Sequence, residues 1–393
     1  MKFSVLLPTS NRLNLLKNAI ETVRRQDYDD WEIIVSDNNS QEDVAGYIAS
    51  LNDARIKYFS TGRFIPVTDN WNNALAHSTG DYVIMLGDDD CIMPGYFSTL
   101  SRLIEQYDSP DFVYTGALLY AYPGVLPGCP DGFLRSYLER RIYHKESKEF
   151  FLSREEALQY VKDSMNFRVE FDYNMQFSLV SRKLIKRMQN AGEFFQSPYP
   201  DYYASNAIML MAERILVVPR PIVTIGISPK SFGYYYFNDA ENEGNKFLNN
   251  LPNKEMVRRL KSVMLPGSAM NTSWLVAMET VAVNYGGQYG LKVNYDRYRT
   301  VQILSVLTAA LLGKESAQRD YKRLRMKLRP GEWLRLWLPF IRDKHRVAPK
   351  DYPQLAHKWQ QIAASHPAVD MPELQGKWTT MLDVFEHASP QCA

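Results

Sequence analysis

Cysteine is scarce in this 393-residue chain, which holds only Cys91, Cys129 and Cys392. Three distant cysteines without a CxxC spacing provide neither a disulfide framework nor a zinc site, and they suit a reducing cytosol. Long apolar runs are missing too, since the longest, around residues 301–312, is too short to span a bilayer. Residues 1–8 predict a first β-strand and no signal peptide. The sequence therefore predicts a cytoplasmic protein, soluble or peripheral on the cytoplasmic face of the inner membrane.

Charge is unevenly distributed along the chain, although the formal net charge is only +2. Residues 1–253 contain 25 Lys and Arg against 32 Asp and Glu, whereas residues 254–393 contain 21 against 12. The second segment also holds five of the seven tryptophans, and its apolar residues follow a helical spacing. These differences predict two domains, 1–253 and 254–393, of which the second is mainly α-helical.

The first 116 residues alternate between short apolar runs and helical periodicity. This order is typical of an α/β domain with a Rossmann-like, mainly parallel sheet and flanking helices. Residues 117–200 are less regular and rich in Tyr, Phe, Pro and Gly, so we interpret them as a segment on the substrate side of the domain.

Polar residues follow three predicted strands, at 9–12, 37–40 and 88–90. Such groups converge at the carboxyl edge of a parallel sheet, where ligands bind. Backbone amides and the Arg12 guanidinium could contact a phosphate or base, unless this loop is an ordinary helix cap. Asp37 could accept hydrogen bonds from a ribose or base, unless it forms an Asx-turn.

Three consecutive carboxylates, Asp88, Asp89 and Asp90, directly follow the apolar strand at 82–86. Two unit charges about 4 Å apart repel by roughly 4 kcal/mol at an effective dielectric of about 20. Such a cluster needs a cation or a proton, and a divalent ion that bridges to a phosphate would satisfy it. The alternative is a solvated acidic turn that caps the next helix.

Four ordered motifs over about 100 residues make the sequence specific. They are VLLPTSNR at 5–12, WEIIVSDNNS at 31–40, NWNNAL at 70–75, and GDYVIMLGDDD at 80–90 followed by Pro94. In order and spacing they resemble family 2 glycosyltransferases with the GT-A fold. The resemblance covers residues 1 to about 240, and it divides the first domain into a nucleotide-sugar half (1–116) and an acceptor half (117–253).

The resemblance implies inverting transfer of a sugar from a nucleoside diphosphate sugar, expected to be a UDP-sugar. The acceptor would be a hydroxyl of a glycan or lipid-linked glycan, in the synthesis of a bacterial surface polysaccharide such as capsule or O-antigen. The positions that would hold the nucleotide-sugar are Pro8, Thr9, Asn11, Arg12, Asp37, Asn72, Asn73, Asp88 and Asp89.

The resemblance also implies a divalent metal, Mn²⁺ or Mg²⁺, bound by a DxD segment. Gly87 occupies the first acidic place of the usual pattern, so two assignments stay open. Either Asp88 and Asp90 form the ligand pair, which we favour, or Asp89 is the chief ligand. Many relatives add a histidine after the last core strand, but this chain has no histidine between His144 and His345. We therefore hypothesise that Lys230 contacts the phosphates and replaces part of the positive charge that a metal would supply.

A general base is implied at the start of a helix in the second half of the fold. Asp201, after Pro198, Tyr199 and Pro200, occupies that place. A carboxylate within hydrogen-bond reach of an acceptor hydroxyl could remove its proton. The alternative for Asp201 is a helix cap that the helix dipole favours.

The second domain contains a basic stretch at 314–350, with 12 Lys and Arg against 4 Asp and Glu. Arginines mixed with leucines and tryptophans suit an anionic membrane surface, and we predict vesicle binding that weakens with salt. A helical domain with buried tryptophans and solvated charges explains the pattern equally well. No zinc spacing or recognition motif indicates nucleic-acid binding. The aromatic-rich tail could also form a homo-oligomer.

Two other functions are compatible with a nucleotide site at this sheet edge. A nucleotidyltransferase would use a glycine-rich basic loop after the first strand, and residues 8–12 do not form one. A sugar- or nucleotide-binding module without catalysis would keep the binding loops and lose the base. The lack of a metal-binding histidine leaves room for this alternative.

Overall fold

The computed structural model describes residues 1–138, 140–237, 254–267, 270–363, 373–374 and 376–388. The chain divides into two compact units. Unit 1 comprises Met1–Val161, Glu170–Leu251 and Asp370–Ala393, and unit 2 comprises Lys162–Val169 and Pro252–Val369.

Unit 1 is built on a ten-stranded sheet with the order β3-β2-β1-β4-β9-β6-β10-β5, in which β7 pairs with β6 and β8 with β10. The strands are β1 (Phe3–Thr9), β2 (Trp31–Asp37), β3 (Ile56–Ser60), β4 (Tyr82–Met85), β5 (Cys91–Ile92), β6 (Phe112–Ala121), β7 (Phe133–Tyr137), β8 (Phe150–Leu152), β9 (Ser178–Ser181) and β10 (Ile215–Ile227).

Helices flank this sheet. They are α1 (Leu13–Arg24), α2 (Val44–Ser50), α3 (Val67–Ala76), α4 (Tyr96–Gln106), α5 (Arg154–Met165, which continues into unit 2), α6 (Arg182–Met188), α7 (Pro200–Met211) and α8 (Phe232–Phe237). Short 3₁₀ turns lie at Arg141–Tyr143, Met175–Phe177 and Gln189–Ala191. The mixed α/β sheet with flanking helices confirms the predicted fold class.

Strand direction differs between the two halves of the sheet. The first four strands pair in parallel, as the alternation of strands and helices predicts. The second half of the sheet is mixed, because β9 inserts antiparallel between β4 and β6, whereas β6 and β10 pair in parallel. β5, β7 and β8 are antiparallel additions as well. The irregular sequence after residue 117 corresponds to this mixed half.

Burial explains why β1 and β2 have no polar face. Every residue of β2 is buried, and only Pro8 of β1 is partly exposed. Strands covered on both faces are mostly apolar, and the buried exception Glu32 is paired with Lys2 and Lys57. In α1, the buried positions Leu16, Ile20 and Val23 recur at helical spacing and pack towards the sheet. The polar loops after β1, β2 and β4 therefore emerge at one edge.

The last helix of the chain packs in unit 1. This helix (Met381–His387) buries Met381, Val384 and Phe385 in a cluster that includes Cys91 and Leu118. Upstream, the amide of Leu374 donates to the Leu134 carbonyl of β7 at 2.8 Å. The sequence interpretation assigned the whole of 254–393 to the second domain, whereas the structure groups 370–393 with the sheet.

Unit 2 is helical in its described part. Its helices are α9 (Lys254–Leu260), α10 (Met270–Tyr289), α11 (Tyr295–Leu311), α12 (Glu315–Arg325), α13 (Leu338–Arg346) and α14 (Tyr352–Ala363). The helix Met381–His387, which belongs to unit 1, is numbered α15. A short turn at Pro330–Glu332 and a π-helical turn at Trp333–Trp337 lead directly into α13.

Apolar residues of α11, α12, α13 and α14 form one core in unit 2. Its buried members include Leu304, Leu324, Trp337, Phe340 and Trp359. Among the described helices of the whole chain, none combines the length and the apolar character needed to cross a bilayer.

Candidate active site

The acidic turn, defined as residues 88–90, follows β4 at the carboxyl edge of the parallel strands. All three carboxylates are buried, with side chains exposed by 3–7% in Asp88, Asp89 and Asp90. Burial and repulsion from Asp89 raise the pKa of Asp90 to about 8. A buried group of this charge needs internal donors, and each carboxylate of the turn has its own.

Backbone amides hold Asp90. Its Oδ1 accepts from the amide of Gly226 and its Oδ2 from the amide of Gly87, both at 2.8 Å. Both glycines are needed for this close approach. A Cβ at residue 226 would lie 2.0 Å from the Asp89 carbonyl oxygen, and one at residue 87 would lie 2.4 Å from Asp90 Oδ2. The glycine that replaces the first acidic residue of the usual pattern thus makes room for the Asp90 side chain.

Arg12 lies between Asp88 and Asp89. Its Nη1 donates to Asp88 Oδ1 at 2.7 Å and lies 3.8 Å from Asp89 Oδ1. Thr9 Oγ1 donates to the other Asp88 oxygen at 2.7 Å, and Ser228 Oγ donates to Asp89 Oδ2 at 2.7 Å. The loop after β1 therefore supplies a hydroxyl and a guanidinium to the acidic turn. The guanidinium provides the positive charge that the carboxylates require.

These donors do not leave a formed metal site. Both oxygens of Asp88 and both of Asp90 accept hydrogen bonds from within the chain, and Asp89 Oδ1 faces Arg12. Among the described residues, His, Cys, Asp and Glu nowhere form a group of three that could hold an ion. Asp88 and Asp90, favoured above as the ligand pair, are the two carboxylates with both oxygens engaged. Asp89 differs from both, because within the described residues its Oδ1 faces only the Arg12 guanidinium, at 3.8 Å.

Lys230 lies beside Arg12, although 218 residues separate them in sequence. The Lys230 ammonium donates to the Asn11 carbonyl, and Arg12 Nη2 donates to the Lys230 carbonyl. The loops after β1 and β10 are thus joined next to the acidic turn. We call Arg12 and Lys230 the positive region; the neighbouring carboxylates of the acidic turn partly offset its charge.

Asp37 ends β2 directly opposite Thr9 in the parallel register. It is 3% exposed, its Oδ1 accepts from the Ser40 amide at 3.0 Å, and its Oδ2 accepts from the Tyr58 hydroxyl at 2.9 Å. The turn alternative considered for Asp37 is therefore present. The amide of Asn11, which has a positive φ of 53°, donates to Ser40 Oγ at 2.8 Å and ties the two loops together. Pro8 lies on β1 beside Ser36.

Asn72 and Asn73 lie on α3 and serve neighbouring backbone and side chains. The Asn72 amide group donates to the Phe195 carbonyl at 2.8 Å and accepts from the Phe195 amide at 3.1 Å. Asn73 Nδ2 donates to Ser36 Oγ at 2.7 Å. Asn72 thereby fixes the loop that leads into α7, and contact of either side chain with a donor sugar stays a prediction.

Asp201 stands in the first turn of α7, directly after Pro200, where the helix N-terminus favours a negative charge. Its Oδ1 accepts from the Tyr202 amide at 2.9 Å. Burial raises the pKa of Asp201 to about 7, although backbone hydrogen bonds act in the opposite direction. A carboxyl group with this pKa can both accept and release a proton near neutral pH.

Residues 173–177 connect Asp201 to the acidic turn. Gln176 Nε2 donates to Asp90, and the Tyr173 ring packs edge-on against Tyr202 with centroids 4.5 Å apart. On the opposite side, Thr68 Oγ1 of α3 donates to the Ser197 carbonyl at 2.7 Å. The start of α7 is thus held both by the segment that contacts Asp90 and by a helix of the nucleotide half.

Sequence reasoning missed four residues that build this site: Gln176, Gly226, Ser228 and Tyr58. Gln176 and Tyr58 carry no local motif, and their contacts follow only from the pairing of distant strands. Gly226 lies near the end of β10 and Ser228 directly follows it, so a rule that polar residues follow strand ends would have identified Ser228.

Comparisons with known proteins add independent information. Residues 4–169 match the sequence model of the family described as "Glycosyl transferase family 2". A GalNAc(5)-diNAcBac-PP-undecaprenol beta-1,3-glucosyltransferase of Campylobacter jejuni is 43% identical over 104 residues, which cover 26% of this chain and 34% of that protein. The putative colanic acid biosynthesis glycosyl transferase WcaA of Escherichia coli is 31% identical over 151 residues, 37% of this chain and 53% of WcaA.

The chain therefore spans about a third and about half of the lengths of these two relatives. Among solved structures, S. aureus TarS 1-349 in complex with UDP-GlcNAc aligns with a TM-score of 0.47 at 16% identity, covering 96% of this chain and 99% of that one. A similarity at that level supports no inference. Of the residues that match the family model, 4–161 lie in unit 1 and 162–169 lie in unit 2.

Proposed function

We propose that this chain is an inverting glycosyltransferase that moves a sugar from a nucleoside diphosphate sugar to an acceptor hydroxyl. The observation that carries the proposal is that the site has both cations, which can stabilise a departing diphosphate, and a carboxyl group, which can accept a proton. A positive region formed by Arg12 and Lys230 borders the acidic turn, and Asp201, with a pKa of about 7, is connected to that turn through residues 173–177.

The positive region suits a departing diphosphate. When the bond between the anomeric carbon and the diphosphate oxygen breaks, the electron pair leaves with that oxygen and its negative charge grows. A guanidinium and an ammonium held in a partly buried site stabilise such charge more than water does. Arg12 is anchored by Asp88 at 2.7 Å, so its position is set before the donor arrives.

Asp201 suits the removal of the acceptor proton. Oδ1 accepts from the Tyr202 amide, and in the described part of the chain no other residue donates to Oδ2, so Oδ2 can accept the hydroxyl proton. The freed acceptor oxygen attacks the anomeric carbon from the face opposite the diphosphate, so one C–O bond forms as another breaks and the configuration inverts. The proton then rests on Asp201 and leaves to solvent with the products.

A divalent metal, Mn²⁺ or Mg²⁺, stays a prediction to be tested, and we derive no step from it. Asp89 is the carboxylate best suited to meet a metal, because its Oδ1 faces Arg12 at 3.8 Å and accepts no hydrogen bond from the residues that the structure describes. Ligation by Asp88 and Asp90 would first require the loss of the hydrogen bonds that hold them.

The substrates are proposed from the resemblance and from the printed names of relatives. A glucosyltransferase of Escherichia coli that is 26% identical over 87 residues is described as acting between UDP-Glc and a GlcNAc-diphosphoundecaprenol. A UDP-sugar and a lipid-linked glycan are accordingly the first donor and acceptor to test. The corresponding setting is surface polysaccharide synthesis in bacteria, at the cytoplasmic face of the inner membrane.

The test combines binding with turnover. Thermal melts with UDP, GDP, CMP and dTDP, each with Mn²⁺ or with EDTA, identify the nucleotide, because a ligand at 100 times its Kd stabilises by about 2.7 kcal/mol. Release of that nucleotide from its sugar conjugates is then compared between the wild type and Asp201→Asn. We expect the variant to bind the nucleotide normally and to lose turnover. Equal binding without turnover in both proteins would identify a non-catalytic module instead.

A further inference from the structure

Unit 2 exposes a cluster of large apolar side chains that no core requires. Met326, Leu334 and Leu338 are 81%, 67% and 51% exposed. They are three of the nine large apolar residues exposed in the described part of the chain, and they lie within 13 positions of one another. Single exposed leucines are common, but a local cluster indicates a surface that meets something apolar.

The helical phase separates this cluster from the core. Trp337 and Phe340 point inward and are 4% and 1% exposed. Leu334 and Leu338 lie one turn apart on the outer side, and Arg335 and Arg342 are exposed beside them. We name these four residues, Leu334, Arg335, Leu338 and Arg342, the outer face. The outer face is therefore apolar and cationic at once, whereas the inner face already has its packing partners.

Charge on the surrounding residues is strongly positive. Residues 322–346 contain nine Lys and Arg against two acidic residues, Glu332 and Asp343. Both acidic residues are paired within unit 2. Glu332 binds Arg299 at 2.5 Å, and Asp343 lies 3.2 Å from the Lys358 ammonium. The electrostatic potential outside residues 322–346 is consequently positive.

Aromatic rings strengthen the same pattern. The Arg325 guanidinium lies 6.0 Å from the Trp333 ring centroid, and Met326 directly follows it in the chain. Trp333 is half-buried and packs against Trp337 with centroids 5.0 Å apart. A half-buried tryptophan between exposed leucines and arginines is typical of helices that lie at a membrane interface.

We infer that the outer face docks unit 2 on an anionic lipid surface. Leu334 and Leu338 insert among the upper acyl chains, while Arg335 and Arg342 contact acidic headgroups. Both contributions are needed, because a nucleic acid would use the arginines without the leucines, and a neutral apolar partner would use the leucines without the arginines.

The experiment measures co-sedimentation of the full chain with vesicles of phosphatidylglycerol and phosphatidylcholine, and with phosphatidylcholine vesicles alone. Three variants are compared with the wild type: Leu334→Ser with Leu338→Ser, Arg335→Gln with Arg342→Gln, and the control Val283→Ser with Leu312→Ser. The control removes two apolar side chains that are 59% and 42% exposed elsewhere in unit 2. Circular dichroism establishes that each variant is folded.

We expect binding to the anionic vesicles at 50 mM NaCl that weakens at 500 mM. The leucine variant should lose binding by roughly tenfold or more, from the lost apolar transfer. The arginine variant should lose about fivefold for each charge. The control should bind as the wild type does. Because the readout is vesicle binding, its result is independent of the proposed catalytic activity.

Three results would overturn this inference. The first is an absence of wild-type binding to anionic vesicles at low salt. The second is unchanged binding by the leucine variant, which would reduce the interaction to charge alone. The third is equally tight binding to a random-sequence DNA duplex, which would make the basic segment a nucleic-acid surface.

Discussion

At the scale of single residues, Asp201 determines how the proposed reaction depends on pH. Its carboxyl must be ionised to accept a proton, and burial raises its pKa to about 7. The turnover rate should therefore increase as pH rises through about 7 and level off above pH 8. Asp201→Asn should reduce turnover at least about a hundredfold above pH 8, in line with the loss of a general base, and by less at lower pH, where the wild-type carboxyl is itself protonated. A pH–rate profile of both proteins checks this, and an unchanged profile in the variant would assign Asp201 to helix capping alone.

Ionisation of Asp201, which should increase turnover, should decrease the stability of the folded state. A carboxyl whose pKa is raised on folding makes the folded state less stable as pH rises from its ordinary pKa near 4 to about 7. Asp201→Asn should hence melt at a higher temperature than the wild type at pH 8, with a smaller difference at pH 5. Melting curves at these two pH values measure it.

Arg12 is the residue on which the acidic turn depends. Its guanidinium lies against Asp88 and Asp89, and removal of one partner from a buried ion pair costs about 3–5 kcal/mol. We expect Arg12→Gln to lower the melting temperature at pH 8 and to lower it less at pH 5, because protonation then relieves the carboxylates. If a metal can replace the guanidinium, Mn²⁺ will raise the melting temperature of the variant more than that of the wild type.

Arg12→Lys is the matched control, since it keeps the charge and loses the fork of donors. If Arg12→Gln and the wild type had the same melting temperature at pH 8, the acidic turn would not need this cation.

Sequence reasoning predicted that several residues of this site meet at one edge of the sheet, and the roles it gave them stay predictions. Thr9, Arg12, Asp88 and Lys230 meet at one edge because parallel strands end together. The roles expected for Asn72 and Asp37 depend on ligands, and in the structure their side chains hold neighbouring loops. Which oxygen accepts which internal donor follows from strand pairing, and a linear motif does not contain that information.

At the scale of elements, α15 supports the acidic turn from behind. Met381 is fully buried, and a Cβ on Gly226 would lie 3.0 Å from Met381 Cε. Gly226 in turn donates to Asp90. Helix α15 is thus packed under the residues that hold the site.

Met381→Ala should destabilise unit 1 by about 2–5 kcal/mol, the usual cost of such a cavity. Leu382→Ala on the same helix removes a half-buried side chain and should cost less. Denaturant unfolding measures both. An equal cost for the two variants would contradict the tight packing of Met381 against β10.

A buried ion pair links α11 to the turn before α13. Arg299 donates to Glu332 at 2.5 and 2.7 Å and to the carbonyls of Val263 and Lys327. Glu332→Gln should destabilise unit 2 by about 3 kcal/mol at pH 7. Hydrogen bonds from Arg299 lower the pKa of Glu332 against the effect of burial, so this stabilisation is lost only as pH falls below the ordinary range. Urea unfolding at pH 7 tests it, and a cost near zero would contradict a structural role for the pair.

Helical and strand periodicity predicted β1, α1, β2 and β4, whose apolar residues are buried at regular spacing, but it did not predict the two-residue strand β5. It did not predict β9. That strand is four residues long and joins the sheet antiparallel between strands that are far away in sequence. A short buried strand has no alternation to identify it.

At the scale of the whole molecule, the charge asymmetry between the two segments corresponds to two units of different architecture. The sequence interpretation divided them at one point, residue 253. The structure instead groups 162–169 with the helical unit and 370–393 with the sheet. Composition is averaged over long windows, so it detects a change of architecture. It does not detect that a short segment late in the chain belongs to the first unit.

The central claim is that this chain transfers a sugar with inversion and that Asp201 removes the acceptor proton. The most direct measurement is proton NMR of the product formed from the donor that stabilises the chain, with an acceptor bearing a lipid-linked sugar. We predict a product of opposite anomeric configuration to the donor, formed by the wild type and not by an Asp201→Asn variant that still binds the nucleotide. Retained configuration, or an Asp201→Asn variant as active as the wild type, would contradict the account.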